Sequence, residues 1–320
     1  MRIRYQFQLI SLIRDFFKQE DFLDVITPVA VENPGMEVHI HPYQLRSVIK
    51  KQEDPRYLHT SPEFCMKELL SREEENLDNI FTITYCFRDE PNSPIHRSQF
   101  LMLEWYRKHA HYKKIMEDTE NLIQFCLTEG EKLGMPLREK MKNQSMQKIT
   151  MQELFMKELG IDILNYLDVP SIKELLKNYP DVPVPPSELE WDDYFFLLYL
   201  NKIEPKIAEY PMLMIYEFPA PLKALSTLKP TDPRVCERFE VYINGVELCN
   251  AFNELTDVDE QINRFNEQIA LKKKLYKYQL AEPQQFYETL KRGLPPSAGI
   301  ALGVERLLTS LFEVENPFYA

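Results

Sequence analysis

Long apolar runs are missing from this chain. No stretch of its 320 residues approaches the ~20 consecutive apolar residues that cross a bilayer, and the amino terminus carries no signal-peptide pattern. A membrane role is not expected, and a cytoplasmic location is. Cysteine is sparse and unpaired: Cys65, Cys86, Cys126, Cys236 and Cys249 form no C-x-x-C pair, which argues against a disulfide framework or a cysteine–zinc site and predicts reduced thiols. Basic excess is also absent. With 38 Lys+Arg against 50 Asp+Glu the net charge is -12, so the chain lacks the positive footprint of an autonomous nucleic-acid binder and no stable nucleic-acid partner is expected. The acidic balance suits a basic partner, although most carboxylates read as solvated surface. Glycine is scarce, 8 residues against 23 prolines, so each glycine is expected to mark a turn or a close approach.

The 44% hydrophobic content supports a substantial core, read as one domain over residues 1–320. Ile3, Phe7, Ile10, Ile13 and Phe17 predict an amphipathic helix from the start of the chain. A strand over 56–59 is expected to end at the Ser61-Pro62 turn, with a helix over 64–70. Residues 81–87 and 100–106 read as antiparallel strands joined by a loop over 91–94. Residues 115–173 read as helical, with Leu122, Phe125 and Cys126 on one side of the first helix. The proline-rich run 179–186 is expected to be extended. A helix over 191–200 and a strand over 212–218 follow, and a last helix follows Gly303. No internal repeat is visible.

Asn244-Gly245 is a strong two-residue hairpin signal between strands over 238–243 and 246–252. It pairs Ile243 with Val246, Tyr242 with Glu247 and Glu240 with Cys249. Glu240 and Glu247 then become diagonal neighbours on one face, about 7–8 Å apart at the backbone. Two carboxylates sharing a face repel unless a positive charge intervenes. Magnesium bridging phosphate oxygens is one candidate; an exposed face balanced by Arg238 is the other. Strict alternation puts Leu248, Asn250, Phe252 and Glu254 on the opposite face, so a bulge or twist must intervene if these are to share a site with Glu247.

On the other strand pair, Thr82, Thr84, Cys86 and Arg88 share a parity. Phe100, Met102, Glu104 and Tyr106 form one face, and Trp105 points to the core. A glutamate in so apolar a strand is costly unless paired, which favours a binding role. Arg88 and Arg306, each with its own acidic and aromatic neighbours, suit a site for a triphosphate. His39 and His41, and His109 and His111, lack a third ligand at metal spacing.

These residues carry a resemblance. The segments 22–28, 58–67, 87–107, 238–257 and 299–307 resemble the catalytic core of class II aminoacyl-tRNA synthetases of the lysine type. Within that family the chain is most similar to stand-alone paralogues that attach (R)-β-lysine to a lysine of elongation factor P. The resemblance implies an α+β fold with an antiparallel β-sheet flanked by helices, no N-terminal anticodon-binding barrel, and ATP and Mg2+ as co-substrate and metal. It implies a homodimer formed through the segment ending at Pro28. It places Arg88, with Asp89 beside it, at the α-phosphate, Glu90 at the adenine end, Phe100 on the base, and Arg306 at the γ-phosphate. Gly303 would allow close approach of the backbone to ATP, and Arg97, Glu247 and Leu248 join the nucleotide set. Glu240 and Glu247 are implied as magnesium ligands. Ser61, Pro62 and Glu63 resemble the turn that meets the amino and carboxylate end of a lysine-type substrate. Glu104, Tyr106 and Asn250 are implied to contact it, and Glu254 to pair with its side-chain ammonium. Ala301 stands where lysyl-tRNA synthetases usually have glycine, which favours (R)-β-lysine over lysine. Arg97 replaces the usual asparagine, Ala251 the usual glycine, and Glu305 the commoner aspartate. The alternatives are a truncated lysyl-tRNA synthetase charging tRNA with α-lysine, and a catalytically silent regulatory paralogue.

Overall fold

The apolar period of the first segment produces helix α1 (Arg2–Gln19) in this computed structural model, which describes residues 2–49, 55–91 and 96–314. Its buried face is Gln6, Leu9, Leu12, Ile13, Phe16 and Phe17, and Phe7, expected on that face, is 60% exposed. Phe7 lies two residues before Leu9 and so about 200° around the helix from it.

Short strands β1 (Leu23–Asp24), β2 (Ala30–Val31), β3 (Gln44–Leu45) and β4 (Arg56–Leu58) follow, and β2, β4 and β3 form a small antiparallel sheet in that order. Helix α2 (Glu63–Leu70) starts directly after the Ser61-Pro62 turn. The expected strand pair is present as β5 (Asn79–Phe87) and β6 (Gln99–Lys108), antiparallel in unbroken register from Asn79↔Arg107 to Phe87↔Gln99. Beyond Pro91 the predicted connecting loop lies outside the described residues.

The stretch expected to be wholly helical is not. After α3 (Tyr112–Lys132) comes strand β7 of the central sheet (Gln147–Thr150). Four residues carry too little alternation to be read as a strand. Thr150 ends it as the N-cap of α4 (Met151–Leu159), in a capping box with Glu153 that satisfies orphan amide donors on both sides. Asp168 caps α5 (Val169–Leu176) in the same way. The proline-rich run is irregular, with Val182 buried, and α6 (Trp191–Leu198) continues through a π turn at Tyr199–Ile203 into α7 (Glu204–Ile207).

The remaining elements are β8 (Met212–Pro219), β9 (Leu228–Lys229), β10 (Asp232–Ile243), β11 (Val246–Asn253), α8 (Val258–Tyr276), α9 (Gln284–Gly293), β12 (Ser297–Gly303) and α10 (Val304–Leu311). The nine-stranded sheet runs β1-β5-β6-β12-β11-β10-β8-β7, with β9 added to β10. Among the described residues only β1–β5 and β7–β8 pair in parallel. The β10–β11 turn has Asn244 at φ 51° and Gly245 at φ 78°, as a two-residue turn with both central residues left-handed requires.

One face of the sheet is covered by α1, α3 and α10, which bury Leu103, Trp105, Val241, Ala251, Ile300 and Leu302. The other carries two separate apolar clusters. One packs α4 to α7 against Leu213, Ile215 and Tyr242, and the other packs α2, α8 and α9 against Ile80 and Tyr106. Between them the inward side chains of β6, β12, β11 and β10 are left to line a cavity. Among the described residues no helix is long and apolar enough to cross a membrane.

Candidate active site

The cavity measures about 420 Å³ and its floor is the sheet face between the two helical clusters. Alternation puts Phe100, Met102, Glu104 and Tyr106 of β6 on this floor, while Leu101, Leu103 and Trp105 enter the opposite core. Gly299 and Ala301 of β12 pair with Tyr106 and Glu104, so small residues alternate with the large polar ones. A Cβ at Gly299 would lie 2.1 Å from the Tyr106 ring, so only glycine leaves that ring its place.

The hairpin departs from its simple register. Ile243 pairs with Val246 and Tyr242 with Glu247, as the turn dictates, but Val241 then pairs with Cys249 and Glu240 with Asn250, not with Cys249. Leu248 is the extra residue of a β-bulge and turns into the core. The bulge reverses the parity of everything after it. Glu247 before it and Asn250, Phe252 and Glu254 beyond it all reach the same cavity, which unbroken alternation forbids.

At the deep end three carboxylates surround one ammonium. Lys67, 1% exposed, donates to Glu63 Oε1 at 2.6 Å and stands 2.6 Å from Glu254 Oε2. Burial alone would lower the lysine pKa, but Glu254 and Glu63 hold it above its ordinary value. Burial raises Glu254 to about 7 against the pull of Lys67. Glu104, also 1% exposed, is pushed well above the usual carboxylate range by burial and then by Glu63. Its Oε2 accepts from the Tyr106 hydroxyl at 3.2 Å, while its buried Oε1 has no hydrogen-bond partner. The sequence reading gave Glu254 to a ligand; here Lys67 already holds one of its oxygens.

Toward the other end lie the arginines. Arg88 extends the β5 face, its amide donating to Ser98 O at 3.0 Å, and its guanidinium stands 5.2 Å from the Phe100 ring centroid with a buried, unpartnered Nε. One face of Phe100 is thus covered by arginine. Arg306, on α10, donates to Glu247 O at 2.8 Å and lies 3.9 Å from Glu247 Oε2. Glu305 Oε1 accepts from Leu101 N at 2.6 Å, tying α10 to β6, and burial raises its carboxyl to about 7. A Cβ at Gly303 would meet only Arg306 carbons, at 3.5 Å or more.

Arg238 binds Glu240 Oε1 at 2.6 Å, as the charge-balance reading expected, and Tyr242 donates to Oε2 at 2.6 Å. Burial nevertheless carries Glu240 up to about 7, with Glu247 adding to the rise. Two carboxylates on one face suit a hard dication in company with phosphate oxygens, with Glu247 open on the cavity wall and Glu240 reaching a metal only by sharing an oxygen that already accepts from Arg238 or Tyr242. Among the described residues no cluster of three or more His, Cys, Asp or Glu is arranged for a metal. His39 and His41 meet the hydroxyls of Tyr276 and Tyr278 instead, each at 2.7 Å.

Of the residues singled out from sequence, all but three line the cavity. Pro62 caps α2, Asp89 donates its amide to His41 O at 2.7 Å, and Glu240 sits behind the wall on Arg238 and Tyr242. The sequence reading missed Glu37 and gave Arg238 only a balancing role, yet both line the cavity. Arg238 lay two residues before Glu240 on the same strand face, which was a usable signal. Glu37 lay in a loop without periodicity. The five cysteines are free, as expected.

A sequence model of the family of tRNA synthetases class II (D, K and N) matches residues 1–316. The chain is 33% identical over 310 residues to an elongation factor P--(R)-beta-lysine ligase of Hamiltonella defensa, covering 96% of this chain and 90% of that protein. It is 34% identical over 313 residues to the protein of the same name from Vibrio vulnificus, again covering 96% and 90%. The Vibrio cholerae protein is 32% identical over 311 residues with the same coverage.

Proposed function

The chain belongs to the class II tRNA synthetases (D, K and N), and from that membership we propose that it activates (R)-β-lysine with ATP and transfers it to a lysine of elongation factor P. One observation carries the substrate class. Glu63, Glu104 and Glu254 face a single cation, Lys67, at the closed end of a cavity whose other end holds Arg88 and Arg306. Buried negative charge in excess is costly until a cation arrives. An amino acid bearing two ammonium groups supplies that charge, and its carboxylate then points toward the arginines.

In the first step the substrate carboxylate attacks the α-phosphorus of ATP in line and pyrophosphate leaves. No side-chain nucleophile is required. Catalysis rests on positioning and on charge stabilisation by Arg88 at the α-phosphate and Arg306 at the far end of the triphosphate. Phe100, with Glu90 and Arg97 near it, suits the adenine end, and Leu248 keeps its backbone at the wall beside Glu247. Glu240 and Glu247 would hold Mg2+, which when bound neutralises charge on the phosphates. In the second step an acceptor amine attacks the acyl carbonyl and AMP leaves. Ala301 sits in register between Glu104 and Asn250, so its methyl narrows the floor where substrate carbons lie.

Leu23 and Ile26, 53% and 94% exposed just before Pro28, supply an apolar surface for a homodimer. Light scattering on the purified protein tests it, a monomeric mass being the contrary result. A translation factor as acceptor and five free thiols fit a cytoplasmic enzyme. The adenylation reading is tested by exchange of labelled pyrophosphate into ATP with (R)-β-lysine and α-lysine, using Arg88→Ala as control. Exchange with (R)-β-lysine that the control abolishes supports it; exchange with α-lysine alone returns the chain to the tRNA-charging type, and none at all points to a silent paralogue.

A further inference from the structure

The loop from Asn33 to His41 reaches the cavity through Glu37 and Ile40, and it is fastened from outside by the end of α8 and the segment after it. Lys272, only 3% exposed, donates to the carbonyls of Glu37 at 2.8 Å and Ile40 at 2.6 Å. Asn33 Nδ2 donates to Ala281 O at 2.6 Å, and His39 and His41 are anchored on Tyr276 and Tyr278. Gly35 adopts φ 140°, and a Cβ there would come within 2.6 Å of Glu37 Oε2. The absent side chain of Gly35 is the space in which the Glu37 carboxylate rests.

That carboxylate has no ion-pair partner among the described residues, since the Lys272 ammonium is committed to backbone. Burial and then Glu63 push its pKa up, while its own backbone amide, Arg88 and Lys272 pull it down, and it lines the cavity together with Ser61, Glu63 and Arg88. Glu104 senses Glu63, Lys67 and Glu254 instead, and keeps its own unpartnered Oε1 in the same cavity. Glu63, Glu104 and Glu254 thus face Lys67, while Glu37 lines the same cavity next to Glu63 in reach of Arg88.

We infer that Glu37 is a specificity-determining residue for the amino acid: with Glu63 it receives the ammonium nearer the substrate carboxylate, while Glu104 and Glu254 receive the distal one. This rests on the lysine-type substrate proposed above. The ligand class is a diamino monocarboxylic acid, and Lys272 is the positioning residue that fixes the Glu37 backbone.

The test is calorimetric titration, without ATP, of the full chain and its Glu37→Gln variant with 3,6-diaminohexanoate and with 6-aminohexanoate, which lacks the amine near the carboxylate. Loss of a charge-assisted contact should weaken the diamino acid by about ten- to a hundredfold. Binding of 6-aminohexanoate and the KM for ATP should not change. Gly35→Ala, which displaces the carboxylate without removing it, should weaken the diamino acid selectively as well. Equal weakening of both compounds, or no weakening of the diamino acid, overturns the assignment to Glu37. Intact pyrophosphate exchange with only the transfer step lost would also overturn it. Failure of the unsubstituted protein to bind either compound would instead overturn the lysine-type reading, and this inference with it.

Discussion

Tyr106 holds its place in the cavity because residue 299 has no side chain. Gly299→Ala would force a methyl to within 2.1 Å of that ring, and overpacking of this kind costs about 1–3 kcal/mol. The variant should melt earlier by calorimetry and bind the amino acid more weakly, since Tyr106 donates to Glu104. Arg88→Lys keeps the charge but loses the planar fork that stacks beside Phe100. Pyrophosphate exchange should fall about a hundred- to a thousandfold, and an unchanged rate would remove Arg88 from the chemistry. Ala301→Gly opens the floor by one methyl, which is expected to narrow the preference for (R)-β-lysine over α-lysine by about tenfold, read as the ratio of kcat/KM values. Tyr106 and Arg88 were legible because strand parity assigned each a side, and Ala301 was legible only through the resemblance, since no strand was expected over 297–303. Glu37 was not, because a loop held by distant groups such as Lys272 has no period to read.

The bulge at Leu248 is what puts Glu247 on the same face as Asn250, Phe252 and Glu254. Deleting Leu248 would restore simple alternation beyond the Asn244-Gly245 turn and leave Cys249 and Asn250 opposite Val241 and Glu240, so Asn250, Phe252 and Glu254 would stay on the cavity face with Glu247. The deletion should lower the urea midpoint, because a buried leucine leaves the core, while pyrophosphate exchange is retained because Glu254 keeps its place beside Lys67. Loss of exchange in a folded variant would mean that the local twist the bulge imposes, and not the parity alone, positions the site. The turn and the first two residue pairs were readable from Asn-Gly, whose left-handed backbone fixes the pairing next to it. The parity conflict between Glu247 and Asn250 announced that an irregularity existed. Its position was not readable, because a bulge of this kind needs no glycine or other special residue. Strand β7 escaped for a different reason: its four residues join the sheet through parallel pairing with β8, a long-range contact that local pattern does not encode.

Across the molecule, the pairs β5–β6 and β10–β11 were readable from their alternation and turn, while strand β12, the sheet order and the gap between the two helical clusters emerge only from long-range packing. That gap gathers buried acids, and their pKa values set a pH dependence. Glu240, Glu254 and Glu305 are each raised to about 7. A carboxyl raised in the folded state contributes stability that is fully present below its unfolded pKa of about 4.3 and is lost as pH rises through about 7. The ligand-free protein should therefore melt at higher temperature near pH 5 than near pH 8, and Glu254→Gln should flatten that slope. A diamino acid should reverse it, stabilising more at the higher pH where the carboxylates it neutralises are ionised. No pH dependence of the ligand shift would mean that these acids are not where the ammonium groups bind. The most direct measurement is the intact mass of elongation factor P after incubation with this protein, ATP, Mg2+ and (R)-β-lysine, with tRNA as a competing acceptor. A gain of one lysyl residue on the factor and none on tRNA is the expected result; an unmodified factor beside charged tRNA would contradict it.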